Sequence, residues 1–313
     1  REIPMNGCSK VEHLNLIRKV HCHGGWDWGI TLMVTGVYAP LTLTGVNLAR
    51  IDYVHTEQKH EKKRVTVTAV AELSALRSGR KTVTFTFNGE TKTVTASLKK
   101  GENRVKALFV VDNPKLWWPN GLGEASLYLL TVSTDDETIE QEIGLRTLEV
   151  VNRVNGFDVF CKGADWIPAD AMPAQVTPAV LDDLLESARL ANMNMLRVWG
   201  GGQYESEEFY RLCDRKGLLI WQDMMFACSL YPSNEEFIEN VRQELNFQIR
   251  RLRHHPSLAL WCGDNEVIGA TRWYGEDKRL VNTIHYDRLN RELARMVETF
   301  DPDRLFWPSS PCG

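Results

Sequence analysis

Between residues 50 and 147, apolar and polar positions alternate with a period of two. Arg64-Val-Thr-Val-Thr-Ala-Val-Ala71 and Lys81-Thr-Val-Thr-Phe-Thr-Phe87 place β-branched and aromatic side chains on one face and hydroxyls or charges on the other. A strand with one buried face needs this pattern, because successive side chains point to opposite sides of a sheet. Asn88-Gly89, which follows, is the residue choice of a two-residue hairpin turn. Runs at 103–111 and 126–133 continue the series. About seven short strands in roughly a hundred residues predict an immunoglobulin-like β-sandwich. The Cys…Trp…Cys spacing of antibody domains is missing, so the expectation concerns architecture alone.

From about residue 148 the rhythm becomes strand–helix alternation. The pattern predicts strands at 157–160, 195–198, 218–221, 258–261 and 305–307. Helices fall between them at 177–190 with Pro178 in the first turn, 205–215 ended by Gly217, 234–253 stopped by Pro256, and 286–300. Alternating β and α imply a parallel sheet with crossover helices. A five-stranded doubly wound sheet fits this count, whereas a closed barrel needs eight units and ~250 residues. No Gly-X-Gly-X-X-Gly turn follows the first strand, since Lys162-Gly-Ala-Asp-Trp lacks the phosphate cradle. The expectation is therefore a (β/α)8 TIM barrel that is incomplete in this chain. Residues 1–49 hold short apolar stretches broken by the dense loop Cys22-His-Gly-Gly-Trp-Asp-Trp-Gly29. They are too few for a core of their own and read as the C-terminal remnant of a larger β domain. The expected domains are thus 1–49, 50–147 and 148–313.

Bulk properties narrow the function classes. The net charge of −4 carries no basic face, which argues against nucleic acid as a partner. No apolar run approaches the ~18 residues of a membrane span. Of the seven cysteines, Cys161, Cys213, Cys228 and Cys262 lie in apolar runs and read as buried thiols. Reduced thiols lean towards the cytoplasm, but the compartment (cytoplasmic or periplasmic) and homo-oligomeric assembly stay open. His21-Cys-His23 and His254-His255 could suggest metal ligands; the first is too cramped for one tetrahedral site and the second precedes a proline-started strand, so no metal is expected. Trp117-Trp118-Pro119 is expected to pack at the end of the sandwich, and Asp135-Asp-Glu137 to form a solvated turn.

Candidate chemistry gathers at the predicted strand ends. Leu258-Ala-Leu-Trp-Cys-Gly-Asp-Asn-Glu266 is an apolar run of strand length with a polar tip. In a parallel β/α barrel, catalytic groups sit at the C-terminal ends of strands. Glu266, with Asn265 beside it and Trp261 behind, is placed there to donate a proton to a leaving-group oxygen. The plainer alternative is a strand end that caps the next helix. Asp165 and Trp166, Arg197 and Trp199 with Gly200 to Gly202, and Gln222 and Asp223 occupy the other ends. No Gly-X-Ser-X-Gly elbow supports a serine triad.

Several longer motifs carry a resemblance. They are Asn192-Met-Asn-Met-Leu-Arg-Val-Trp-Gly-Gly-Gly-Gln-Tyr-Glu205, Phe209-Tyr-Arg-Leu-Cys-Asp214, Trp221-Gln-Asp-Met-Met-Phe-Ala-Cys-Ser-Leu-Tyr-Pro232, His254-His-Pro-Ser257, Trp261-Cys-Gly-Asp-Asn-Glu266 and, upstream, Trp26-Asp-Trp-Gly29. In this order the chain resembles glycoside hydrolase family 2, and within it the β-mannosidases. The resemblance implies a sugar-binding jelly roll, an immunoglobulin-like sandwich and a (β/α)8 barrel, with the first mostly absent. It implies a retaining exo-hydrolase of terminal β-D-mannosyl residues that needs no cofactor. Glu266 matches the general acid/base, Asn265 the amide partner of the sugar 2-hydroxyl and Trp199 an aromatic wall. Asp27 would accept hydrogen bonds from sugar hydroxyls, Trp26 and Trp28 would pack against the sugar, and Arg197 and Asp223 would belong to the same subsite. The nucleophile glutamate is expected beyond residue 313, since none of Asp165, Glu205 or Asp223 matches its motif. Asp264 departs from the pattern, which more often has asparagine there. The rivals are another family 2 specificity (β-galactosidase, β-glucuronidase or exo-glucosaminidase) and a non-catalytic sugar-binding or scaffold protein.

Overall fold

The structure is a computed structural model that describes residues 9–149, 153–273 and 276–312. Seven antiparallel strands follow the leading segment: β1 (Ala49–Glu61), β2 (Arg64–Ala75), β3 (Gly79–Phe87), β4 (Glu90–Leu98), β5 (Gly101–Asp112), β6 (Tyr128–Ser133) and β7 (Thr138–Ile143). They form two sheets, ordered β1-β2-β5 and β4-β3-β6-β7. The period-two pattern works as expected: Val65, Val67, Val83, Phe85, Phe87 and Phe109 point into one core shared by both sheets. On the outer face of β3 and β4, threonine pairs 82–95, 84–93 and 86–91 join hydroxyls across the strands. Asn88 and Gly89 both take positive φ, 49° and 79°, which a two-residue hairpin whose twist matches its strands requires.

Asp135-Asp-Glu137 is more than a solvated turn. Asp136 pairs with the buried Lys81 ammonium and accepts from Asn47, while Glu137 accepts the Ile51 amide at 2.6 Å. The loop closes one end of the sandwich because a buried lysine there needs a carboxylate.

The small strands β8 (Leu148–Glu149), β9 (Arg153–Val154) and β10 (Phe157–Asp158) form an antiparallel sheet of their own. This corrects the expected first strand of the parallel region. Residues 157–160 do not enter that sheet, because the tight turn at Asn155-Gly156 sends Phe157–Asp158 back along β9. The place is taken by β11 (Gly163–Trp166).

Next come α1 (Pro178–Leu190), β12 (Met195–Val198), α2 (Glu207–Lys216), β13 (Leu219–Asp223), α3 (Glu235–Leu252), β14 (Leu258–Cys262), the short α4 (Val267–Ala270), α5 (Arg279–Phe300) and β15 (Leu305–Trp307). Thr177 and Ser206 cap α1 and α2 through their hydroxyls. Helix α5 begins seven residues before the expected Tyr286. Its first turns carry Leu280, Val281 and Ile284 exposed, so they lack the one-sided pattern that marks a helix in sequence. Strands β11-β12-β13-β14-β15 are all parallel and stand in chain order. A doubly wound sheet reverses direction part-way; this one does not.

The sandwich braces the start of β14. Trp117, fully buried, donates its indole N–H to the Asp214 carbonyl at 2.8 Å, and Arg146 donates to the carbonyls of Pro256 and Leu258. Trp117 therefore packs between the sandwich and the parallel region. Glu72, on β2, takes Arg250 Nε and Arg253 Nη2 from α3 and the residue after it, both at 2.9 Å.

Beneath that joint His255 Nδ1 lies 2.6 Å from Asp214 and its Nε2 3.2 Å from Glu207. Burial opposes the imidazolium, but the two carboxylates prevail and raise its pKa to about 9. Glu207, despite burial, is lowered to about 2 by the same histidine. Glu207, His254 and His255 are, among the described residues, a group whose ligand atoms lie close enough to share a metal ion.

The signs of these shifts give a pH window. The His255 contribution is fully present below its unfolded value near 6.5 and is lost as pH rises through about 9. The Glu207 contribution is present above about 4.5 and is lost as pH falls towards 2. Urea unfolding at successive pH values is expected to show stability falling between pH 7 and 9.5, by on the order of 2–3 kcal/mol. Asp214→Asn should flatten that alkaline slope; a wild-type curve without the slope would remove the charged His255 pair.

Candidate active site

The parallel sheet brings the C-terminal ends of β12, β13 and β14 side by side, and a charged cluster sits there. Asp223, at the end of β13, is 0% exposed. Its carboxylate accepts Arg197 Nη2 at 2.8 Å and Nε at 3.2 Å, the Gly200 amide at 3.0 Å and Trp221 Nε1 at 2.9 Å. Burial pushes Asp223 up to about 6 while Arg197 pulls it down. The carboxylates of Asp223 and Asp165 overcome burial at Arg197 and hold its guanidinium above the ordinary arginine value. The same guanidinium donates to Asn265 Oδ1 at 2.9 Å and lies 3.6 Å from Asp165. One cation therefore ties together the ends of β11, β12 and β13 and the turn after β14.

That turn is held on both sides. Asn265 forms parallel bridges to Ala227 and Ser310, adding one rung to the sheet beyond β14. Its amide donates to the Phe226 carbonyl at 2.9 Å, and the Cys228 amide donates to the Asn265 carbonyl at 2.8 Å. The Glu266 amide donates to the Ser310 carbonyl at 3.0 Å. Glu266 takes φ 58°, ψ 12°, a left-handed conformation uncommon outside glycine. Its side chain is exposed, with Oε2 3.3 Å from Cys228 Sγ. Strain of this kind collects where the surroundings over-determine a functional side chain.

Asp264 points into the fold. It accepts the Ser309 hydroxyl at 2.5 Å and the Val267 amide at 3.0 Å, so it caps α4. Burial raises its pKa to about 7. Its Oδ1 takes both bonds, one from the start of α4 and one from the loop after β15.

An open cavity of about 880 Å³ lies over these groups. Glu266, Asn265 and Arg197 form its floor, and the loop 21–29 forms one wall with Trp26, Asp27 and Trp28. The Cys22 amide donates to the Gly201 carbonyl at 2.9 Å, which docks the loop on the glycine run after β12. Trp199 meets Trp26 edge-on at 4.9 Å and Trp28 at 5.7 Å. A Cβ on Gly201 would lie within 2.0 Å of the Trp199 ring, which is why this position carries no side chain.

Seven of the eight residues nominated from sequence line this cavity: Glu266, Asn265, Trp199, Asp27, Trp26, Trp28 and Arg197. Asp223 lies beneath it and acts on the cavity through Arg197. Among the rings, Trp28 is the open platform at 51% exposed, whereas Trp199 shows only 7% of its surface. Lys10, Cys228 and Ser310 also line the cavity and were not nominated. Cys228 stood inside a quoted motif but read as a buried thiol; Lys10 has no sequence signal. Glu205, buried, accepts Trp166 Nε1 at 3.1 Å and does not reach the cavity. No helix among the described residues is long and apolar enough to cross a membrane.

Residues 49–146, which cover the sandwich, match the family described as Glycosyl hydrolases family 2. The chain is 38% identical over 327 residues to beta-mannosidase B of Emericella nidulans, covering 95% of this chain and 39% of that protein. It is 34% identical over 334 residues to the beta-mannosidase of Bos taurus, covering 96% and 38%. The beta-D-mannosidase structure from Dictyoglomus thermophilum superposes with a TM-score of 0.87 at 34% identity, over 95% of this chain and 39% of that one. The chain thus spans about two fifths of the length of these relatives. The chain is thus similar to the Glycosyl hydrolases family 2 model over the sandwich, and to these beta-mannosidases through the parallel sheet and the cavity as well.

Proposed function

We propose that the chain is the central part of a retaining exo-β-mannosidase, with Glu266 as its general acid/base. The observation that carries this reading is the joint placement of Asn265 and Glu266 at the tip of β14 in one cavity with Trp26, Asp27 and Trp28. A pyranoside needs an aromatic face for its C–H side, polar groups for its hydroxyls and a proton donor at its glycosidic oxygen. Trp28 offers the face, Asp27 and Asn265 the hydrogen bonds, and Glu266 the proton. Arg197 keeps the Asn265 carbonyl oxygen occupied. That leaves its Nδ2, which reaches Cys228 Sγ at 3.2 Å, as the group that can turn to a sugar oxygen.

In this reading Glu266 protonates the departing oxygen while a second glutamate attacks the anomeric carbon. Glu266 then takes a proton from the water that cleaves the glycosyl-enzyme. Retaining enzymes hold the two carboxyls about 5–5.5 Å apart. The second glutamate is assigned to a strand after residue 313. Parallel strands in chain order without reversal support the start of a (β/α)8 barrel, and two antiparallel sheets around one core support an immunoglobulin-like sandwich. Residues 9–48 fit the end of a preceding β domain, whose loop 21–29 completes the cavity. The named β-mannosidase relatives support mannoside over the other specificities of the family.

Two predictions test the assignments in the enzyme expressed from its whole reading frame. Glu266→Gln is expected to cut hydrolysis of alkyl β-mannosides by roughly 10²–10⁴-fold, the usual worth of general acid catalysis, and of dinitrophenyl β-mannoside far less. Equal loss on both would contradict the acid role, and faster turnover of the matching galactoside or glucuronide would contradict the specificity. Trp28→Ala should raise KM several-fold with little change in thermal midpoint. Trp199→Ala should also raise KM, and should cost about 3 kcal/mol of stability because its ring is packed beneath the loop. Unchanged KM in both variants would take the tryptophan wall out of the subsite.

A further inference from the structure

Cys228 is a buried thiol, as its apolar run predicts, packed in an apolar cluster with Trp26 and Trp199 at the edge of the cavity. It follows β13 by five residues and lines the cavity, with φ 47° in the left-handed region. A non-glycine residue held there costs energy that its surroundings must supply. Its partners include the two residues at the centre of the candidate chemistry. The Cys228 amide donates to the Asn265 carbonyl, Asn265 Nδ2 donates to Cys228 Sγ at 3.2 Å, and Sγ–H donates to Glu266 Oε2 at 3.3 Å. Glu266 is itself left-handed, so two strained residues on neighbouring segments meet through one sulfur.

We infer that Cys228 is a positioning residue for the acid/base, aiming the Glu266 carboxyl and the Asn265 amide together at the glycosidic bond. This rests on the reading of Glu266 given above. The choice of sulfur has a chemical reason. A thiol is a weak donor and a weak acceptor. It can fix the direction of a carboxyl without strongly favouring the carboxylate. A hydroxyl in the same place would donate a stronger, charge-assisted hydrogen bond and favour the ionised form. The sulfur also leaves Asn265 Nδ2 lightly held, which makes the exchange to a sugar hydroxyl inexpensive.

The test uses the full-length enzyme and compares wild type, Cys228→Ser, Cys228→Ala and Glu266→Gln. The profile of kcat/KM against pH is measured on dinitrophenyl and methyl β-mannosides, with thermal midpoints as the folding control. The basic limb of that profile reports the acid in the free enzyme. Cys228→Ser is expected to move the limb to lower pH by about half a unit to one unit while keeping activity at its own optimum, as a stronger hydrogen bond to the carboxylate requires. Cys228→Ala should lose about tenfold on the methyl glycoside and little on the activated one, the signature of a misdirected acid. If Cys228→Ala does not fold, the pH profile of Cys228→Ser decides alone. A serine variant with an unmoved limb, or an alanine variant whose loss is equal on both substrates, would overturn the inference while Glu266→Gln still shows selective loss. If Glu266→Gln loses both substrates equally, the acid assignment itself fails and this inference fails with it.

Discussion

The site depends on a carboxylate that never sees solvent. Asp223 is fully buried, and four donors converge on it: two from Arg197, one from the Gly200 amide and one from Trp221. A charge in such a place is tolerated only when paired and fully hydrogen-bonded. That requirement fixes the Arg197 guanidinium, which in turn holds Asn265 and faces Asp165. The Asn265–Glu266 tip is therefore oriented by a demand for charge neutralisation on the neighbouring strand. The loop 21–29 is then set by the glycine run that the same cluster anchors through Gly200.

Stability and chemistry are separated along β14. At its beginning the sandwich contributes Arg146 and Trp117, and a buried imidazolium is shared by Asp214 and Glu207. The residues after its other end carry Asn265 and Glu266. Left-handed Glu266 and Cys228 lie at the candidate-site end, away from these buried pairs. Such a division suits a parallel sheet, whose strand tips are free to diversify while its base is locked.

Much of this was legible in the residues. Alternation in 64–71 and 81–87 identified strands, and Asn88-Gly89 identified the hairpin turn that follows the second, because sheet sidedness and positive φ are local demands. The polar tip after Trp261 was legible as a candidate site because an acid and an amide end an apolar run. The misreadings share a cause. Residues 157–160 resemble a strand, but the turn at Asn155-Gly156 pairs them elsewhere. The first turns of α5 carry no one-sided pattern, so nothing local announced them. Asp135-Asp-Glu137 looked solvated because the buried Lys81 that needs it lies about fifty residues earlier.

The sequence by itself determined the kinds of element, the order of the strand ends and the residue types available for chemistry, since these follow from periodicity and turn chemistry within a few residues. It also carried the family's motifs in the family's order. Only the tertiary structure decided which of those residues face the cavity. It placed Asp223 beneath the floor, Trp28 rather than Trp199 as the open ring, Asp264 in a cap, and Cys228 against Glu266. Burial, charge pairing and line of sight to solvent belong to residues brought together from 200 positions apart, and no local pattern encodes them.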